Sequence, residues 1–338
     1  MDQLLQGEDE AASWVRNSKV IDSVERLPGD ASTRKYFRVR SGQDAFIVMK
    51  TDPFVAEGEA YPFLEVQRHL ASAGVEVPQV HDVDSERGFI LLEDLGDVTL
   101  LKRLQSVTDM EIERHLYEKV IDSLVHMHVN AGPDKASQPL AGFKLKFDLE
   151  KLMWEVGFTI EHFYKLHLQR HISPKDQQVL DKTFTAICTE LANEPAVFTH
   201  RDFHSRNVMV PSDERLVMID FQDARMGPPQ YDLASLLRDS YYQLNEDQVQ
   251  RLIDYYLARY EALSGQKLQR QHFLRLFDLM AVQRNFKAIG SFASFQNKRG
   301  VATYLKYVGN TFENIRRTLL KYPEFSELRE VLFHYYYF

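Results

Sequence analysis

Three side chains stand at a spacing that could do chemistry. In FTHRDFHSRNVMV, residues 198–210, a carboxylate at Asp202 is followed five residues on by the amide of Asn207. Thirteen residues further, Asp220 ends the apolar run RLVMID. A carboxylate that takes a hydroxyl proton, with two hard oxygen donors for a divalent cation, suits transfer of a phosphoryl group. That reaction needs positioning and charge neutralisation more than covalent help. The four residues between Asp202 and Asn207 let the loop turn so that both side chains face one pocket. HRDFHSRN fills the H-R-D-x-x-x-x-N pattern of phosphoryl-transfer catalytic loops, with Asp202 as base and Asn207 as metal ligand. Asp220 heads Asp220-Phe221-Gln222, in which the expected third-place glycine is missing, so a fixed metal loop without a flip is expected.

The elements that must position these groups can be read around them. RKYFRVR (34–40) and AFIVMK (45–50) read as a β-hairpin through SGQD. Lys50 closes the second strand, where a lysine could neutralise phosphate oxygens. Its orienting carboxylate is expected to be Glu65, in a helical stretch over 56–74, with Glu59 as the competing choice. LPGDASTRKYF precedes the hairpin and lacks a full glycine-rich phosphate motif, which leaves the Ser32 and Thr33 hydroxyls as candidate phosphate contacts. GFILLEDLG (88–96) reads as a strand running into a hinge. Beyond residue 97 the pattern turns helical, with strands returning only between 196 and 221. Segments 148–171 and 174–193 read as two helices, and Asp232 reads as the N-cap of LASLLRDSYY. His126 and His128 read as helix-packing residues, with no third ligand spaced for a transition metal.

The chain is an α+β protein by this reading: a β-rich lobe over 1–95 holding the phosphate clamp, then a mainly helical lobe over 96–338 with inserted helices. Its 338 residues allow a large core, and 44% hydrophobic with 27% charged residues is ordinary for a globular chain. A net charge of −8 argues against a nucleic-acid partner. The lone Cys188 leaves no internal disulfide and fits a reducing compartment. No stretch reaches the roughly 18 apolar residues of a membrane span, and the acidic opening lacks a secretory apolar core, so a cytoplasmic protein is expected.

The set KYFRV, FIVMK, FLEVQRHL, ILLEDLG, HRDFHSRNVMV and LVMIDFQDARMGPPQYDLASLLRDSYY resembles the aminoglycoside-phosphotransferase branch of the protein-kinase-like fold, across nearly the whole chain. The long helical stretch between Lys50 and Asp202, and the lack of an activation segment after Asp220, set it apart from kinases acting on proteins. The resemblance implies a two-lobed kinase-like fold, ATP and Mg²⁺ as cofactors, and a small-molecule acceptor with no obligate protein partner. Within the branch, HRDFHSRN, IDFQDARMGPPQYDLASLLRDSY and QRNFKAIGSFASF are similar to the bacterial cell-wall-recycling sugar kinases. That similarity implies phosphorylation of N-acetylmuramate or N-acetylglucosamine on the anomeric hydroxyl. Acceptor contacts would then come from His204, Asp223, Arg225, Arg284 and Lys287, and from Trp154, Glu155 and His162 in MWEVGFTIEHFY. Other branch acceptors, namely aminoglycosides, choline and amino alcohols, stay open, as does a nucleotide-binding scaffold without catalysis. Cationic acceptors favour an acidic pocket, whereas a lactyl-bearing sugar favours the mildly basic set Arg225, Arg284 and Lys287.

Overall fold

The computed structural model describes residues 10, 11, 13–15, 21–28, 34–54 and 61–337. Five antiparallel strands form one sheet: β1 (Ser23–Arg26), β2 (Lys35–Ser41), β3 (Asp44–Lys50), β4 (Val80–Asp84) and β5 (Phe89–Glu93), in the order β1-β2-β3-β5-β4. Helix α1 (Pro62–Ser72) lies between β3 and β4. It starts at a proline, whose missing N–H costs nothing at a helix's first turn, and its Phe63, Val66, Gln67 and Leu70 are buried.

Side chains alternate across a strand, and here both faces are covered, so alternation decides which groups reach the cleft. Phe37, Val39 and Val48 point outward into a small cluster with Ala11, Trp14 and Phe89. Trp14 stacks on Phe89 with ring centroids 5.3 Å apart. Met49 and Ile90 point the other way, into the main core shared with the helices.

The helical part begins with α2 (Leu100–Gln105), α3 (Met110–Asn130) and the short α4 (Ala141–Lys144). Helix α5 (Leu149–Thr159) runs directly into a π-helical stretch, Ile160–His167, and α6 (Pro174–Ala192) follows. The two expected helices are thus present, the first of them split between α and π geometry. Asp148 and Ser173 cap α5 and α6 by accepting from Lys151 N–H and Asp176 N–H.

Two short antiparallel pairs then carry the loops of interest. They are β6 (Val197–Thr199) with β9 (Arg225–Gly227), and β7 (Val208–Met209) with β8 (Val217–Met218). Helices α7 (Gln230–Leu237), α8 (Glu246–Ser264), α9 (Arg270–Arg299), α10 (Val308–Leu319) and α11 (Ser326–Tyr337) complete the chain. Buried along much of its length, α9 is the axis of the helical part. Gly290 lets it approach α5: a Cβ there would lie 2.4 Å from Thr159 Oγ1 and 2.7 Å from Thr159 Cα. The sheet thus packs on a helical body across a cleft, a common place for a ligand. No helix among the described residues is long and apolar enough to cross a membrane.

Candidate active site

The loop Thr199–Asn207 is held from below by one carboxylate. Asp232, buried in the first turn of α7, accepts from the backbone N–H of His200 at 2.6 Å and of Arg201 at 2.9 Å. His128 Nε2 lies 3.2 Å from the same carboxylate, and His128 Nδ1 lies 2.9 Å from the Tyr256 hydroxyl. The N-cap expectation for Asp232 is corrected: Pro229 occupies the cap, and Asp232 ties the loop to α7. Further along, Asp239 accepts from Ser205 N–H at 3.0 Å and from its hydroxyl.

That anchoring keeps two non-glycine residues in the left-handed region, Arg201 at φ 82° and Asp220 at φ 65°. Conformations of this kind cost free energy and persist where neighbours over-determine them. Their result is convergence. Asn207 Nδ2 donates to the Asp202 carbonyl oxygen at 2.9 Å and to Asp220 Oδ2 at 3.3 Å. Gln222, standing where a glycine would, donates to Asp220 Oδ1 at 2.9 Å. Phe221 is buried and stacks on Phe63 of α1. These contacts hold the loop after Asp220 from both sides.

The two carboxylates sit in different fields. Burial alone would raise the pKa of Asp202, but Lys287, Arg201 and Arg284 overturn that and hold it well below the ordinary carboxylate range. Lys287 Nζ donates to Asp202 Oδ1 at 3.2 Å. Asp220 is pushed the other way, by burial first and then by the Asp202 charge, against the opposing pull of Gln222, His200 and Arg34. A carboxylate open to the cavity beside a second one is what a hard divalent cation relieves. The Asp220 carboxylate and the Asn207 amide therefore fit a magnesium ion in donor type and position. His204 is driven down to about 3 by burial and by the neighbouring Arg284, which keeps its ring neutral at ordinary pH.

These groups line one cavity of about 970 Å³ between sheet and helices. Leu92–Gly96, the segment expected to be a hinge, forms one wall, fixed by Arg38, which bridges Asp94 at 2.7 Å and Asp97 at 2.9 Å. On the helical side stand His204, Asp223, Glu155 and the exposed Trp154, stacked on Phe158. Asp223 pairs with Arg201 Nη1 at 2.7 Å. Glu155 is buried and accepts from Gln283 at 3.1 Å, an α5–α9 contact as well as a cavity wall. Arg284 and Lys287 of α9 also face the cavity.

Four expected residues fall elsewhere. Lys50 is on the outer face of β3, over the Phe89 ring at 4.1 Å, with Nζ donating to the Arg87 carbonyl at 2.5 Å and 3.8 Å from Glu10. The reason is strand alternation: Ile47, three residues earlier, faces the cavity, so Lys50 cannot. Glu65, its expected partner, is half-buried on α1 and does not line the cavity. Arg225 lies over Phe147 at 5.3 Å, outside the cavity lining. His162 packs on Phe158, also outside it. Ser32, Thr33 and Glu59 lie outside the described residues.

A cation beside Asp220 that enters from the sheet side carries no motif. Arg34, just before β2, lines the cavity beside Tyr36, and Asp220 feels its charge. A signal existed: Arg34, Tyr36 and Arg38 alternate with the outward Phe37 and Val39.

Residues 23–266 match the model of the APH phosphotransferase enzyme family. The chain is 33% identical over 320 residues to the N-acetylmuramate/N-acetylglucosamine kinase of Pseudomonas aeruginosa, covering 92% of this chain and 89% of that protein. It is 32% identical to the protein of the same name from Neisseria meningitidis serogroup B, covering 90% and 87%. Among solved structures, the fold is shared with a choline/ethanolamine kinase family protein from Mesorhizobium loti, at a TM-score of 0.62, 15% identity, and 97% and 98% coverage. It is shared also with the ADP-bound aminoglycoside phosphotransferase APH(2'')-Ib, at a TM-score of 0.60, 15% identity, and 90% and 97% coverage. This chain belongs to the APH phosphotransferase enzyme family.

Proposed function

We propose that the protein transfers the γ-phosphoryl group of ATP to the anomeric hydroxyl of N-acetylmuramate or N-acetylglucosamine. The observation that carries this is the convergence of Asp202, Asn207 and Asp220 at the foot of a cavity whose helical wall carries Trp154, Arg284 and Lys287 beside the acidic Glu155 and Asp223. Relatives at 33% and 32% identity over nearly the whole chain, named as kinases of these two sugars, support the choice of acceptor.

In this reading Asp202 Oδ accepts a hydrogen bond from the acceptor hydroxyl and aligns its oxygen on the γ-phosphorus. As the new O–P bond forms, the bond to the β-phosphate bridging oxygen breaks, the hydroxyl proton passes to Asp202, and ADP leaves. The depressed pKa of Asp202 makes it a weak base. A loose phosphoryl transition state asks for orientation before proton removal, and the anomeric hydroxyl is more acidic than an ordinary alcohol. Asn207 and Asp220 would hold Mg²⁺, which supplies charge neutralisation on the phosphate oxygens. Arg34, not Lys50, takes the role of the sheet-side phosphate cation. Trp154 offers an exposed ring against which a sugar face can lie.

ADP release measured side by side with N-acetylmuramate, N-acetylglucosamine, kanamycin, choline and homoserine tests the reading. We expect release with the two amino sugars. Release with kanamycin or choline alone would overturn the acceptor while leaving phosphoryl transfer intact.

A further inference from the structure

Arg284 is a buried cation with no ion pair among the described residues. It is 4% exposed, on the cavity-facing side of α9. Its Nε has no hydrogen-bond partner among the described residues. Two carboxylates feel its charge, Asp202 and Asp239, and both are already engaged. Asp202 accepts from Lys287, while Asp239 accepts from Ser205 and from the Tyr241 N–H. The nearby His204 supplies no negative charge, and its proton is repelled by Arg284. A desolvated guanidinium without an anion is costly, and its planar fork matches a carboxylate.

We infer that Arg284 binds the lactyl carboxylate of N-acetylmuramate, so that one side chain separates the acid sugar from the neutral one. This rests on the amino-sugar reading above. Position favours it. Arg284 precedes Lys287 by three residues on α9, which puts their Cβ atoms about 5–6 Å apart. Lys287 touches Asp202, so a pyranose with its anomeric hydroxyl at Asp202 spans toward Arg284 with its 3-substituent. The phosphate side is served by Arg34, which acts on Asp220 from the sheet. Arg206, packed on Tyr241 and Tyr304 at 5.1 and 5.3 Å, adds positive potential to the same wall.

Two measurements test the assignment. With the wild-type enzyme, kcat/KM is compared for N-acetylmuramate, its methyl ester and N-acetylglucosamine. The ester should lose on the order of 100-fold against the acid, the cost of leaving a buried charge unanswered. In Arg284→Gln, the preference for N-acetylmuramate over N-acetylglucosamine should fall by a similar factor, carried by KM. An ester used as well as the acid, or an Arg284→Gln loss equal on both sugars and confined to kcat, would overturn the inference. If wild type phosphorylates none of the three, the amino-sugar reading itself fails. The ester comparison stands whether or not the variant folds.

Discussion

At the scale of single residues, the candidate site sets two carboxylates apart. Asp202 is ionised by its cationic neighbours, whereas Asp220 is left short of positive charge. Sequence spacing revealed both groups, because a loop motif is a local object. It could not reveal Lys287 as the partner of Asp202, since contacts across 85 residues leave no local trace. His204 yields a pH prediction. Its folded-state pKa of about 3 lies below the unfolded value of about 6.5. Between those values the unfolded chain binds the proton and the folded one does not, so stability falls as pH drops from about 6.5 toward 3. Chemical denaturation at pH 7 and 4.5 should show this slope, and His204→Gln should flatten it. An unchanged slope in that variant would contradict the buried neutral imidazole.

At the scale of elements, the lesson is strand parity. The apolar run AFIVMK is covered on both faces, so its composition alone does not tell which side chains face the cleft, and a lysine at its end reads as a phosphate ligand. The pairing of Lys50 with Lys35, and of Tyr36 with Met49, settles the faces. Accordingly, Lys50→Ala should leave the KM for ATP within about 3-fold of wild type. Arg34→Ala should raise it, or lower kcat, by about tenfold or more, in keeping with a lost charge-assisted hydrogen bond. Steady-state kinetics at saturating acceptor separates the two, and the reverse pattern would restore Lys50 to the site.

Asp232 makes a second element-level case. Read locally, an aspartate ahead of a helix is a cap; folded, it holds two loop amides and His128. Asp232→Ala leaves those buried donors unmatched, at about 1–3 kcal/mol each. Thermal unfolding should drop clearly and turnover should fall with it, because Arg201 and Asp202 follow directly on the pinned amide. A variant with wild-type stability and turnover would show that the loop is held by other means.

At the scale of the whole molecule, a sheet and a helical body line one cavity, and each supplies one part of the candidate site. The sheet and hinge contribute Arg34 and the wall at Leu92–Gly96; the helical part contributes the two carboxylates, the amide and the basic face of α9. The hairpin, the strand before residue 96 and the run of helices were legible in the sequence, because hydrophobic period and turn residues are written locally; the short, mostly exposed β1 and β4 were not. The acceptor wall was less so. Arg284 and Trp154 were visible as residue types, but only packing around Gly290 fixes where α5 and α9 put them.

The most direct measurement is phosphorus NMR of the reaction mixture with MgATP and N-acetylglucosamine, comparing wild type with Asp202→Asn. With wild type, a sugar phosphate ester coupled to the anomeric proton is expected. With Asp202→Asn its appearance should slow by on the order of 100-fold or more while ATP still binds. An ester formed at another hydroxyl, or formed at the wild-type rate by Asp202→Asn, would contradict the proposed reaction.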